Sequence, residues 1–168
     1  EKYGLNVQKM MENAGRNFAR FVFNKFHPKR VVILYGKGNN GGDGIAAARF
    51  LDIYGVKTYI VPASREVNEN LKQELKIIKK AGVEPSNINK VGNLKNNDIV
   101  IDALLGYNIK GNPRGRYKKL INWANLSKAK IVSFDLPSGM EPNTGISSNI
   151  PANIAKRRAY GTWRIESP

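Results

Sequence analysis

Apolar and polar residues follow two different rhythms along this chain. Between residues 5 and 26, Met10, Ala14, Phe18, Val22 and Phe26 recur every four positions, a stripe that predicts an amphipathic helix. His27-Pro28 ends it. RVVILYG (30–36) is instead a continuous run rich in β-branched residues, the pattern of a strand buried on both faces. DGIAAARFLDIYG predicts a helix closed at Gly55, VKTYIVPAS a second strand, and residues 66–81 a polar helix ending at Gly82. DIVIDALLG (98–106) predicts a third strand, GRYKKLINWAN a helix, and AKIVSFDLPSG (129–139) a fourth strand. Strands alternating with helices specify an α/β fold with a mostly parallel sheet and right-handed crossovers. No repeat or low-complexity linker interrupts the pattern. From Gly145 onward it fades, and ISSNIPANIAKRRAYGTWRIESP predicts no strand. Residues 1–145 are read as one domain, residues 146–168 as an irregular tail, and the sheet as truncated at its C-terminal edge.

Composition narrows the class. A chain of 168 residues is the size of one domain, and 41% apolar with 24% charged residues describes a folded, water-exposed protein. No apolar run approaches the roughly 20 residues a membrane helix needs, and EKYGLNVQKMMENAG lacks the basic start and apolar block of a signal peptide. The chain has no Cys, which excludes disulfides, a thiolate nucleophile and Cys-ligated zinc, and fits a cytoplasmic setting. Its one His, His27, has no nucleophile nearby and reads as a solvated residue at a helix end. Lys and Arg number 28 against 13 Asp and Glu, a net charge of +15. Such a surface attracts polyanions, yet the basic residues are scattered, with short clusters at Lys29–Arg30, Lys79–Lys80, Lys118–Lys119 and Lys156–Arg158. Nucleic acid is therefore a possible partner but not the favoured one.

Candidate chemistry begins at the segment from Lys37 to Gly44. Five of the nine residues from Gly36 to Gly44 are glycine. Following a buried strand and opening a helix, they let backbone N–H groups approach an anion at the positive helix end. A phosphate-bearing nucleotide is the expected ligand. A dinucleotide-binding domain of the common kind carries an acidic residue after its second strand for the ribose; here Pro62-Ala63-Ser64-Arg65 stands there, which argues against an ordinary NAD dehydrogenase. Arg65 is either a partner for a 2′-phosphate or simply an exposed residue at a helix start. A different nucleotide enzyme such as a kinase is the weaker reading, because G-x-x-x-x-G-K-[ST] is absent.

Two strand ends add carboxylates. Asp102 closes IVID and Asp135 closes VSFD, and both are expected at the same carboxyl edge as Asn39, Asn40 and Asp43. Carboxylates after apolar strands are costly to bury without partners, protons or a cation. Asn40, Asp102 and Ser138 supply amide, carboxylate and hydroxyl oxygens, a set suited to a hard ion. The alternative is that the aspartates only cap the turns that follow. The loop GYNIKGNPRG brings Lys110, a candidate proton donor or a solvated lysine.

YGKGNNGGDGIAAARFL, DIVIDALLG…KG and VSFDLPSGMEPNTG, preceded by MMENAG (10–15), resemble in order and spacing the signature blocks of the YjeF N-terminal domain family, the NAD(P)H-hydrate epimerases. The resemblance covers residues 1–145. It implies a Rossmann-like three-layer α-β-α sandwich, assembled as a homodimer, that interconverts the R and S forms of hydrated NADH and NADPH so that a separate dehydratase can repair the S form. It implies a nucleotide site made by Asn39, Asn40, Gly41, Gly42, Asp43, Gly106, Tyr107, Asn108, Ile109, Lys110, Gly111, Asn112 and Asp135. It implies a potassium ion held by Asn40, Asp102 and Ser138. Asp135 is the candidate catalytic group and Lys110 the alternative proton carrier. The tail departs from the family, where further strands are expected after PNTG. A second reading stays open: a non-catalytic relative that keeps the fold as a binding or scaffolding module, with RNA as one partner.

Overall fold

A computed structural model describes residues 6–107 and 112–140 in full and residues 159–163 as backbone. The elements in chain order are α1 (Val7–Phe26), β1 (Arg30–Tyr35), α2 (Asn39–Ile53), β2 (Lys57–Pro62), α3 (Glu69–Lys80), α4 (Ile88–Val91), β3 (Asp98–Ala103), α5 (Gly115–Leu126), β4 (Lys130–Phe134) and β5 (Ala159–Trp163). All five strands are parallel, in the order β2-β1-β3-β4-β5.

Alternation along the strands sorts the core into two layers. Val31, Ile33 and Tyr35 of β1 join Ile99 and Ile101 of β3 beneath α1, α2 and α3, where Phe18, Ala47, Leu51, Leu71 and Ile78 close the packing. Val32 and Leu34 face the opposite way with Val100, against Leu120, Ile121 and Ala124 of α5. Both faces of the sheet are covered, which is why the middles of β1 and β3 read as apolar runs and why β4 is buried from Ile131 to Phe134. Phe18 and Phe134 stack with ring centroids 4.4 Å apart, tying α1 to the end of β4.

The stripe along α1 holds at Ala14, Phe18 and Val22 but slips at its start. Met11, Ala14, Gly15, Phe18, Ala19 and Val22 are buried, whereas Met10 is 57% exposed. A period of 3.6 drifts against a strict spacing of four. Small residues decide the contact: a Cβ added to Gly15 would stand 2.6 Å from the Ala46 Cβ, so α1 and α2 pack backbone to backbone.

The tail is a correction. Residues 146–168 were expected to be irregular, but Ala159–Trp163 forms β5, parallel to β4 with a register shift between Ile131 and Ser133. An edge strand of five residues containing Gly161 carries no apolar run of its own, so pairing with β4 decides its conformation rather than local pattern. The rest of the tail lies outside the described residues.

Strand order fixes where ligands go. The chain moves from β1 to β2 on one side, then returns to place β3 on the other. In open α/β sheets a crevice forms at this reversal, outside the carboxyl ends of the two strands. Tyr35 pairs with Ala103 and Leu34 with Asp102, so the segments after β1 and β3 leave the sheet side by side at that point.

Candidate functional site at the carboxyl edge of β1, β3 and β4

The glycine-rich segment is helix sooner than its composition suggests. Gly38 is the N-cap of α2, and Asn39, Asn40 and Gly41 make its first turn. Glycine is a poor helix former, so tertiary packing imposes the helix. A Cβ on Gly36 would lie 1.8 Å from the Leu104 carbonyl oxygen, and one on Gly41 would lie 2.4 Å from the Gly36 oxygen. No other residue lets β1, α2 and the segment after β3 come this close. Capping divides the helices. Asn6, Asn68 and Asn87 each accept a backbone N–H at the starts of α1, α3 and α4, whereas Gly38 offers α2, and Arg114 offers α5, no side-chain acceptor. The first N–H groups of α2 are therefore left to face the crevice, at the positive end of the helix dipole.

Asn40, Asp102 and Ser138 come together as expected. The Asn40 Nδ2 donates to the Leu105 carbonyl at 3.1 Å, the Leu105 N–H donates to Ser138 Oγ at 3.1 Å, and Ser138 Oγ donates to Asp102 Oδ1 at 2.6 Å. One peptide residue, Leu105, thus joins three chain segments through both of its backbone groups. Asp102 is 1% exposed. It also accepts from the Ser138 N–H at 2.8 Å, the Leu104 N–H at 3.2 Å and Ser133 Oγ at 3.3 Å. Burial nevertheless raises its carboxyl above the ordinary range, against the lowering effect of these bonds. The Asn40 Oδ1 is buried and has no hydrogen-bond partner among the described residues. A buried carboxylate whose charge is disfavoured, beside an unsatisfied amide oxygen, is the donor set a cation would complete.

Asp135 follows β4 with φ at 65°, the left-handed region that a non-glycine residue seldom occupies. This turn, closed by the Leu136 N–H to the Phe134 carbonyl at 2.9 Å, swings the chain back so that Ser138 meets Asp102. Half-buried Gly106 lies between α2 and Asp135. A Cβ there would stand 3.2 Å from the Asn40 Cβ and 3.6 Å from Asp135 Oδ2. Asp43, one turn into α2, is pushed up to about 7 by burial, by the Asp135 charge and by the Glu74 charge. Two interacting carboxyl groups, one titrating near neutrality, therefore share the carboxyl edge.

Not every expected residue points inward. Asn39 Oδ1 accepts from Asn68 Nδ2 at 2.7 Å and Asn70 Nδ2 at 3.2 Å, so its side chain fastens α2 to α3. Gly42 packs against Met11, whose Sδ would lie 2.9 Å from an added Cβ. Tyr107 and Asn112 are exposed at either side of residues 108–111. Asn108, Ile109, Lys110 and Gly111 lie outside the described residues. Sequence reasoning missed Leu105 and Ser133, because a backbone relay and a mid-strand serine leave no pattern. It also missed the raised carboxyl of Asp43, which depends on neighbours from the turn after β4 and from α3.

The chain is 36% identical over 155 residues to the NAD(P)H-hydrate epimerase of Dehalogenimonas lykanthroporepellens, covering 88% of this chain and 62% of that one. It is 38% identical over 141 residues to the NAD(P)H-hydrate epimerase of Rhodopirellula baltica, covering 81% of this chain and 58% of the relative. It is 37% identical over 150 residues to the bifunctional NAD(P)H-hydrate repair enzyme Nnr of Archaeoglobus fulgidus, covering 86% of this chain and 30% of that one. The crystal structure of yeast ynu0 superposes with a TM-score of 0.73 at 28% identity, over 88% of this chain and 70% of the yeast chain. Residues 7–155 match the family model described as YjeF-related protein N-terminus, and the chain belongs to that family.

Proposed function

We propose that this domain epimerises hydrated NADH and NADPH, converting the R form to the S form on which a separate dehydratase acts. The observation that carries the reading is the convergence of Asn40, Asp102 and Ser138 on Leu105, beside the uncapped start of α2 and the strained Asp135. Relatives named as epimerases share most of this chain's length.

The residues present divide the work. The N–H groups at the start of α2 hold the diphosphate. A potassium ion suits Asn40 Oδ1, Asp102 and Ser138, and when bound supplies a fixed positive charge that neutralises the buried carboxylate. Asp135 and Asp43 handle the proton. The substrate ring carries a hydroxyl on the carbon next to nitrogen. Protonation of that hydroxyl lets it depart as water, leaving an iminium-type cation that the Asp135 carboxylate stabilises. Water returns to either face, and its surplus proton passes back to a carboxylate, so atoms and charge balance over the cycle. Asp43, raised to about 7, serves as the acid beside the Asp135 carboxyl group. Lys110 is the second candidate for proton transfer.

A coupled assay tests this. Hydrated NADPH enriched in the R form is incubated with the domain and a dehydratase specific for the S form. Recovery of NADPH faster than the spontaneous rate is the expected result. Recovery at the spontaneous rate, together with steeply salt-dependent RNA binding, would transfer support to the scaffolding module.

A further inference from the structure

A second polar site lies on the other side of α2, between α1 and α3. A cleft of about 490 Å³ opens there, lined by Gln8, Lys9, Glu12 and Arg16 from α1 and by Gln73 and Glu74 from α3, among others. Glu74 is 2% exposed, and its Oε2 has no hydrogen-bond partner among the described residues. Gln8 Oε1 is likewise buried and unsatisfied. The Gln8 amide is not free to turn. Its Nε2 donates to Gln73 Oε1 at 2.6 Å and to the Asn70 carbonyl at 3.2 Å, which commits the oxygen to the opposite direction. Two unmet oxygen acceptors, one of them a carboxylate, therefore line one cleft.

The charges decide what fits. Arg49 of α2 is ion-paired with Glu12 through Nη2, while its buried Nε meets no acceptor among the described residues; its charge reaches Glu74, but no hydrogen bond closes on Glu74 Oε2. Burial, helped by the Glu12 charge and opposed by Arg49, pushes the Glu74 carboxyl above its ordinary range, the mark of an anion short of a countercharge. Lys9 is exposed at the mouth, as is Arg16, which donates to Asn13 Oδ1 at 2.8 Å. These two cations disfavour a multiply charged ion. A neutral amide oxygen with a single carboxylate suits a weakly hydrated ion of one charge.

We propose that the floor of this cleft is a site for a compact monovalent cation, an alkali ion or ammonium, held by Glu74 Oε2 and Gln8 Oε1. It stands apart from the carboxyl edge and does not depend on the proposed epimerisation. The Glu74 and Asp135 charges both reach Asp43.

Thallium(I) soaks of crystals of the whole chain give the direct test. An anomalous peak between Gln8 and Glu74, lost in Glu74→Gln, is the expected result. Thallium confined to the carboxyl edge, or a cleft peak undiminished by Glu74→Gln, would overturn the proposal. Should Glu74→Gln fail to fold, Gln8→Leu is measured in the same way, with loss of the peak expected and its persistence contradicting the site. In parallel, melting is followed as tetramethylammonium, too large to be held by both oxygens, is replaced by potassium or by ammonium at constant ionic strength. A rise in Tm of a few degrees with either ion, smaller in Gln8→Leu, is expected. A rise of equal size in wild type and variant, or none with either ion, would contradict it. The ion effective at the lower concentration identifies the natural occupant.

Discussion

Asp98 and Asp102 occupy the two ends of β3 and meet opposite fates. At the amino end Asp98 pairs with Arg30 at 2.5 Å and accepts the Lys95 N–H at 2.6 Å. Burial alone would raise its carboxyl, but the Arg30 hydrogen bond, the Lys95 N–H and both positive charges win and hold it below the ordinary range. At the carboxyl end Asp102 receives four hydrogen bonds from neutral donors and no countercharge among the described residues, and its carboxyl is raised. One end of the strand has its charge settled within the fold. The other holds a charge in readiness for something the fold does not supply. Hydrogen bonds from neutral groups satisfy a carboxylate's geometry without cancelling its charge, and that separates a structural aspartate from a candidate functional one.

Substitutions can break this contrast. Asp135→Asn is expected to lower turnover by roughly 10²- to 10⁴-fold while nucleotide binding persists, measured by the coupled assay and by calorimetry; an unchanged rate would remove Asp135 from the chemistry. At the opposite end, Arg30→Met leaves the buried Asp98 without its ion-pair partner and is expected to lower unfolding stability by about 2–4 kcal/mol in urea titrations, with turnover per folded molecule intact.

Acidity sharpens the same contrast. Asp98 has a lowered folded value, so its stabilisation is present above the unfolded value near 4 and is lost as pH falls through the folded one. Asp43 has a raised folded value of about 7, so its contribution is complete below the unfolded value near 4 and is lost as pH rises toward 7. Asp43→Asn should therefore flatten the decline in stability between pH 4 and 7, and a wild-type slope in the variant would contradict the raised value. The smallest effect is expected at Asn39. Its side chain bonds only to Asn68 and Asn70 among the described residues, so Asn39→Ala should cost about 1 kcal/mol and leave the KM for substrate within twofold. A large rise in KM would return that side chain to the binding site.

Much of this was legible in the chain itself. RVVILY and DIVID are buried on both faces, and their unbroken apolar runs say so before any coordinates do. Asp102 and Asp135 end such runs, which places them at the carboxyl edge by strand direction alone. Other features need the third dimension. The first turn of α2 is hidden by glycines whose helical state comes from close packing, Gly41 on Gly36 and Gly42 on Met11. β5 depends on an edge offered by β4. The Leu105 relay uses backbone atoms, and the titration of Asp43 comes from Asp135 and Glu74, distant in the chain.

The most direct test compares the two ends of β3 in one experiment. Asp98→Asn and Asp102→Asn are purified, their folded fractions measured, and each is assayed for R-to-S conversion of hydrated NADPH in potassium buffer. The account predicts that Asp98→Asn keeps the wild-type rate per folded molecule and that Asp102→Asn loses at least about a hundredfold. Equal rates for the two variants would contradict the assignment of the carboxyl edge as the working end of the sheet.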